Sequence, residues 1–139
     1  MQRDIHNLIE GRVSTGVIRQ TNSSAAVVGS IIDLQGYSSL EFLILTGALT
    51  DVNATFAVTM DEGNVSNLSD ASAVAAGDLL GSYASASFTF ADDNAVKKIG
   101  YKGAKRYVRL TITPTGNDAG NLDLGVIALL GAPGKMPTP

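Results

Sequence analysis

Residues Arg106–Thr113 read RYVRLTIT, and this short stretch decides the fold. In an extended chain, Arg106, Val108, Leu110 and Ile112 fall on one face, and Tyr107, Arg109, Thr111 and Thr113 on the other. A helix would scatter those apolar residues around its axis. A strand collects them on the core side, with Arg106 at the rim. Ala54–Met60 (ATFAVTM) repeats the alternation, with Phe56, Val58 and Met60 opposed to Thr55, Ala57 and Thr59. Leu40–Leu45 (LEFLIL) is almost continuously apolar, which predicts a central strand covered on both faces.

Outward from these segments, the chain is a series of short Val-, Ile-, Thr-, Phe- and Tyr-rich runs separated by Gly, Asn, Asp and Ser. Further strands are predicted near Val13–Gln20, Ala26–Leu34, Ser87–Phe90, Val96–Tyr101 and Asp123–Leu130. Gly100 and Gly103 bracket a tight turn that would join Val96–Tyr101 to Lys105–Pro114 as a hairpin. The one helical candidate is Ser69–Leu80, as one or two turns within a long connection. The fold class is therefore all-β: a single-domain β-sandwich of jelly-roll type, with an irregular barrel as the alternative. An immunoglobulin-like sandwich would lack its Cys and Trp hallmarks. The domain covers residues 12–131, flanked by an N-terminal arm (1–11) and a Pro-rich C-terminal tail (132–139) holding three of the four prolines.

Composition removes most enzyme classes. The 139 residues include no cysteine, no tryptophan and one histidine, His6. Disulfides, thiol catalysis and Cys-based metal sites are excluded, and His-based sites nearly so. No run ends in Gly-Lys-Ser/Thr. The acid pairs Asp61–Glu62 and Asp92–Asp93 are adjacent, and neighbouring strand residues point to opposite faces, so glycosidase chemistry is disfavoured. Asp92, Asp93 and Asn94 do not match an EF-hand calcium loop. No catalytic residue, metal or cofactor is expected. The longest apolar run, Gly125–Ala132, is too short to span a membrane as a helix, and Met1–Arg12 is not a signal peptide. The expectation is a soluble chain made in the cytoplasm. The Asn-x-Ser/Thr triplets at Asn22, Asn53, Asn64 and Asn67 read as turn chemistry.

Charge is segregated. Between Arg19 and Lys97 there is no lysine or arginine, while that stretch holds nine acids from Asp33 to Asp93. Lys97–Arg109 then carries Lys97, Lys98, Lys102, Lys105, Arg106 and Arg109. Either the basic stripe packs beside acidic loops of its own domain, or it meets an acidic partner or sister subunit. Bases interleaved with aromatics also suit single-stranded nucleic acid. The formal charge of -3 and the split of these side chains between two faces disfavour that reading.

Four segments resemble the head decoration or cement proteins of tailed bacteriophages: Ile99–Leu110 (IGYKGAKRYVRL), Asn121–Pro137 (NLDLGVIALLGAPGKMP), Asp78-Leu79-Leu80-Gly81 and Arg3-Asp4-Ile5-His6. The resemblance covers most of the chain. It implies a jelly-roll-like sandwich bound to the outside of an icosahedral head, cementing neighbouring major capsid subunits. It also implies a homodimer, favoured over a trimer, with no direct contact to nucleic acid or membrane. Candidate interface residues are Arg3, Ile5, Leu8 and Ile9 in the N-terminal arm and Met136 in the tail. The basic segment adds Tyr101, Lys102, Lys105, Arg106, Tyr107 and Arg109. Tyr101 and Tyr107 either fill the sandwich edge or anchor a partner. Arg106 and Arg109 either clamp carboxylates at an interface or lie on a solvated face. Two other functions stay open: a head–tail joining or tail-tube protein, and a carbohydrate-binding module, the latter disfavoured by only eight aromatic residues.

Overall fold

The computed structural model describes residues 3–138; Met1, Gln2 and Pro139, the outermost residues of the expected arms, lie outside the described residues. The strands, in chain order, are β1 (Ile9–Thr21), β2 (Val27–Val28), β3 (Ile32–Asp33), β4 (Tyr37–Leu49), β5 (Thr55–Gly63) and β6 (Ser72–Ala73). They continue with β7 (Leu79–Leu80), β8 (Phe88–Thr89), β9 (Val96–Tyr101), β10 (Tyr107–Thr115) and β11 (Asn121–Pro133). One sheet runs β1-β11-β4-β9-β7. The other runs β2-β10-β5-β6, with β3 also paired to β10 and β8 to β5. All pairs are antiparallel. With β2 and β3 as one broken strand, and the two-residue β6, β7 and β8 set aside, successive strands alternate between the sheets as in a jelly roll.

That alternation overturns the expected hairpin. Val96–Tyr101 pairs with β4 in the first sheet, whereas Tyr107–Thr115 pairs with β5 in the second. The loop between them crosses the sandwich instead of reversing within one sheet. The reason lies at Tyr101, whose side chain is buried between the layers and whose hydroxyl accepts the Lys105 N–H at 2.9 Å. The Lys102 N–H is drawn off to the Asp78 carbonyl, so it cannot open a hairpin ladder. Gly103 lies against the Tyr101 ring, where a Cβ would come within 2.6 Å of Cζ.

The alternation in β10 and β5 is as the sequence requires. Val108, Leu110 and Ile112 face inward opposite Phe56, Val58 and Met60 of the same sheet, while Thr55, Ala57, Thr59 and Thr113 are exposed. The first sheet contributes Leu40, Phe42, Ile44, Ile99, Leu124, Val126, Ala128 and Leu130 to the same core. Burying each such side chain contributes about 1.5–3 kcal/mol against chain entropy. β4 is central, as expected, but it is not covered on both faces: Leu43 is half-buried and Leu45 exposed.

The predicted helix over Ser69–Leu80 is absent. That stretch holds β6, a single 3-10 turn at Ala76–Asp78, and β7. The helix falls after Gly81, at Tyr83–Ala86, where Ser82 caps the N–H of Ser85 and the Ser85 hydroxyl accepts the Ser82 N–H. The predicted strand Ala26–Leu34 is broken at Gly29 and Ser30, where the Ser30 N–H donates to the Ser14 carbonyl of β1. Register shifts in β1 on either side of Thr15 permit this contact, which ties the edge of one sheet to the other.

Candidate partner-binding end of the sandwich

The register of the sheets brings distant parts of the chain to one end of the sandwich. Ile9 pairs with Gly131, Gly131 with Ser39, and Leu40 with Tyr101. On the other sheet, Tyr107 pairs with Asp33 and Gly63. Both chain ends, the turn before β4 and the basic loop after β9 therefore share this end.

The two expected arms each enter the first sheet at their inner ends and lie together. Ile9–Gly11 belong to β1 and Ala132–Pro133 to β11. Beyond them, the Thr138 hydroxyl donates to the Ile9 carbonyl at 2.6 Å, and its N–H donates to the Asn7 carbonyl. Leu8, Asn7 and Asp4 thus border Met136 and Pro137 around a shallow hollow. Ile5 and Met136 are 66% and 61% exposed, so the apolar side chains most available at this end come one from each terminus. Leu8 and Ile9 are half-buried.

A polar network knits the rest. Arg106 grips Asp33 with two hydrogen bonds, Nε and Nη2 each at 2.8 Å, and reaches Gln35 as well. This fork holds the Asp33 carboxyl down to about 2, well below its ordinary 3.8. Arg12 donates to the Asp33 carbonyl at 2.7 Å and to Glu10 at 2.9 Å. The Glu10 carboxyl is held below its usual range by Arg12 and by the Tyr37 hydroxyl, which donates to it. The Arg12 guanidinium stands 5.6 Å from the Tyr37 ring and that of Arg106 5.0 Å from the Tyr107 ring. Gly36, at φ +90, permits the tight turn closed by the Tyr37 N–H to the Leu34 carbonyl. Between this turn and the 103–106 loop lies an open crevice of about 260 Å³, with Leu40 and Tyr101 in its wall.

The residues singled out from the sequence therefore divide. Tyr101 is only 3% exposed, and its hydroxyl donates to Glu62; burial and that carboxylate raise its ionisation above the usual phenol range. It is a core residue and offers no surface to a partner. Arg106 and Arg109 meet acids of their own chain, Arg109 reaching Asp61 at 3.5 Å. Lys97 likewise pairs with Asp92. Of the two readings of the charge segregation, these contacts realise the intramolecular one. Arg3, Lys102 and Lys105 are exposed and form no ion pair among the described residues. Tyr107 is half-buried beneath Arg106. Sequence reasoning missed Glu10, Arg12, Asp33 and Tyr37. Glu10 and Arg12, two apart in a strand, share a face, but nothing in the spacing points them at residues more than twenty positions away.

The suspected carboxylate sites are structural. Asp61 and Glu62 diverge to Arg109 and Tyr101. Asp92 accepts the Thr89 N–H, and Asp93 accepts that of Leu49. Among the described residues, no group of three or more His, Asp or Glu is placed to hold a metal ion, and no helix is long and apolar enough to cross a membrane.

The class so defined is a jelly-roll β-sandwich with a polar, doubly tethered end. In backbone the chain is similar to a phage-derived exported protein, XepA of PBSX, with a TM-score of 0.57 at 12% identity. That likeness covers 94% of this chain and 39% of XepA. Weaker likenesses reach a structure of infectious bursal disease virus, Gx strain, at TM-score 0.46 and 12% identity, covering 93% of this chain and 33% of that one. A xylan-binding module, CBM15, follows at TM-score 0.41 and 13% identity, covering 96% of both chains. This chain thus spans well under half of the first two. No family model matches the chain, and no curated protein matches it in sequence. At these identities the likeness to XepA establishes the fold.

Proposed function

We propose that this chain is a structural virion protein of a tailed phage that binds the outer surface of the head and cements neighbouring major capsid subunits, without catalysis. The observation that carries this reading is the convergence at one end of the sandwich. There, exposed Ile5 and Met136 join the exposed cations Arg3, Lys102 and Lys105, while the Asp33–Arg106 network stiffens the base beneath them. Such an end suits an apolar and acidic groove between two subunits. The jelly-roll fold, shared with a phage-derived exported protein, agrees with it in kind. A protein that binds only the assembled shell stabilises the shell by mass action, and many copies make modest contacts sufficient.

The test is to mix the purified protein with empty heads that lack it. Saturable binding with hundreds of copies per head is the expected result, and Ile5→Asp with Met136→Asp should weaken it at least tenfold. Absence from purified virions together with no binding to heads overturns the reading. About a dozen copies at one vertex would assign the chain to a head–tail or tail ring instead.

A further inference from the structure

At the crossing loop the first sheet loses a neighbour. β9 ends at Tyr101, opposite Leu40, whereas β4 begins earlier, at Tyr37. On one side these extra residues are paired, Tyr37 with Pro133 and Ser39 with Gly131 of β11. On the other side no strand continues the line of β9. The Lys102 N–H goes to the Asp78 carbonyl, and the chain leaves for the second sheet.

Backbone alternation shows which groups this uncovers. Antiparallel partners exchange hydrogen bonds at every second residue. The Thr46 N–H donates to the Ala95 carbonyl, and no register shift lies between that bond and the Leu40–Tyr101 pair. Even-numbered residues of β4 therefore aim their N–H and carbonyl groups at the β9 side, and Ser38 is the last of that series. Among the described residues, nothing pairs with the Ser38 backbone there. Both groups open into the crevice of about 260 Å³, which is floored by Leu40 and Tyr101 and walled by the Gly103–Arg106 loop.

The charge of this crevice is of one sign. Its lining holds Lys105 and Arg106 and no acid. Arg106 is committed to Asp33 and Gln35. Lys105 is exposed and forms no ion pair among the described residues. Asp70, whose titration Lys105 helps to lower, is taken up by the Asn64 and Val65 N–H groups. The chain's own tail is held elsewhere: the Gly134 N–H donates to the Gly36 carbonyl, and Thr138 bonds Asn7 and Ile9.

We infer that this crevice receives an extended acidic segment of another protein, which takes up the line of β9 along the first residues of β4. A carbonyl of the segment accepts the Ser38 N–H, the matching N–H donates to the Ser38 carbonyl, and a carboxylate side chain meets the Lys105 ammonium. Hydrogen bonding fixes the class of partner. Ser38 offers a donor and an acceptor at strand spacing, which another main chain matches. A phosphodiester has no N–H to give the Ser38 carbonyl. The apolar floor of Leu40 and Tyr101 favours an aliphatic neighbour to the carboxylate. The inference deepens the proposed function: it rests on that reading in taking this end as the partner-binding one, but not in taking the partner to be a phage head.

The test uses the full isotope-labelled chain without heads, titrated by NMR with the blocked peptide acetyl-Val-Asp-Val-Asp-Val-amide. Saturable amide shifts centred on Ser38, Ser39 and Lys105 are expected. Lys105→Glu, or asparagine in place of both peptide acids, should each weaken binding about tenfold or more. N-methylating the peptide one residue at a time should abolish binding where the N–H faces Ser38 and spare it at the adjacent residue, which faces away. An electrostatic contact alone would ignore the methyl group. Thermal melting of Lys105→Glu separates lost binding from lost folding. The inference is overturned by the absence of saturable shifts, by shifts centred elsewhere, or by indifference to Lys105→Glu or to every N-methylation. Equal binding of oligothymidylate would give the crevice to any polyanion, and Ser38 shifts that grow with protein concentration would give it to a second copy; either overturns the inference. Peptide binding without head binding would keep this inference and sink the capsid reading. Head binding without peptide binding would do the reverse.

Discussion

The hydroxyl of Tyr101, on β9 of one sheet, donates to the carboxylate of Glu62, on β5 of the other, and accepts the N–H of Lys105 in the loop that crosses between them. One buried phenol thus joins both layers to the basic crossing loop. Position and chemistry reinforce each other here: the ring fills the edge of the core, and its polar tip meets the two groups that the crossing leaves without partners. The lysine-bearing loop is anchored from beneath.

Removing that hydroxyl is expected to destabilise the chain without unfolding it. Tyr101→Phe keeps the ring but leaves the Lys105 N–H and the Glu62 carboxylate unsatisfied, a loss of about 1–3 kcal/mol. The urea midpoint should fall with the slope unchanged. Amide exchange at Lys105 should accelerate more than at the β4–β11 ladder. Equal acceleration at both would mean that the bond does not act locally on the loop.

The Asp33–Arg106 fork carries a pH dependence whose sign is fixed. The folded carboxyl titrates at about 2 rather than 3.8, so the fork stabilises the native state above the ordinary value and loses that contribution as pH falls from about 4 to about 2. Arg106→Ala should return the Asp33 carboxyl carbon titration, followed by NMR, towards 3.8 and flatten the acid limb of the stability curve. An unchanged Asp33 titration in that variant would show that Arg106 does not hold it.

Asp51 is a quieter anchor at the opposite end. It is 4% exposed, and its carboxylate accepts the N–H groups of Ala119 at 2.8 Å and Asn53 at 3.0 Å, which together hold its titration below the usual range. Asp51→Ala strips both acceptors from a closed corner where Gly120 lies against the Asp51 backbone. A loss of about 1–3 kcal/mol is expected, with Asp51→Asn losing less because one amide oxygen remains to accept. Chemical denaturation of the two variants checks the order, and equal losses would count against it.

The period-2 alternation of β5 and β10 was legible residue by residue, because a strand with one dry face writes its burial directly into sequence. Six of the eight predicted strands recur close to their expected bounds. Ala26–Leu34 fails because its middle is claimed by Ser14 of a distant strand, and Ser87–Phe90 shrinks to a two-residue bridge. The helix was misplaced because a capping box of two serines outweighs an alanine-rich stretch whose backbone partner, Met60, is far along the chain. The gathering at one end of the sandwich was legible only in part: the arms and the basic run stand out in sequence, but the acids that hold the arginines there, Asp33 and Glu10, are ordinary surface acids in sequence.

Sequence by itself determined the all-β class, the inward faces of the strands, the want of thiol chemistry, and the opposition of acidic and basic stretches. Each of these depends on local pattern or composition, which the chain carries without reference to its fold. Tertiary structure alone decided which sheet each strand joined, and so turned an expected hairpin into a crossing between layers. It also decided that Arg106 and Arg109 are spent on the chain's own acids while Val17, Leu45, Val96 and Ile127 fall on the outer face of the sheet. Pairing between strands is a contest among distant segments for the same ladder, and its outcome follows from how the whole core closes.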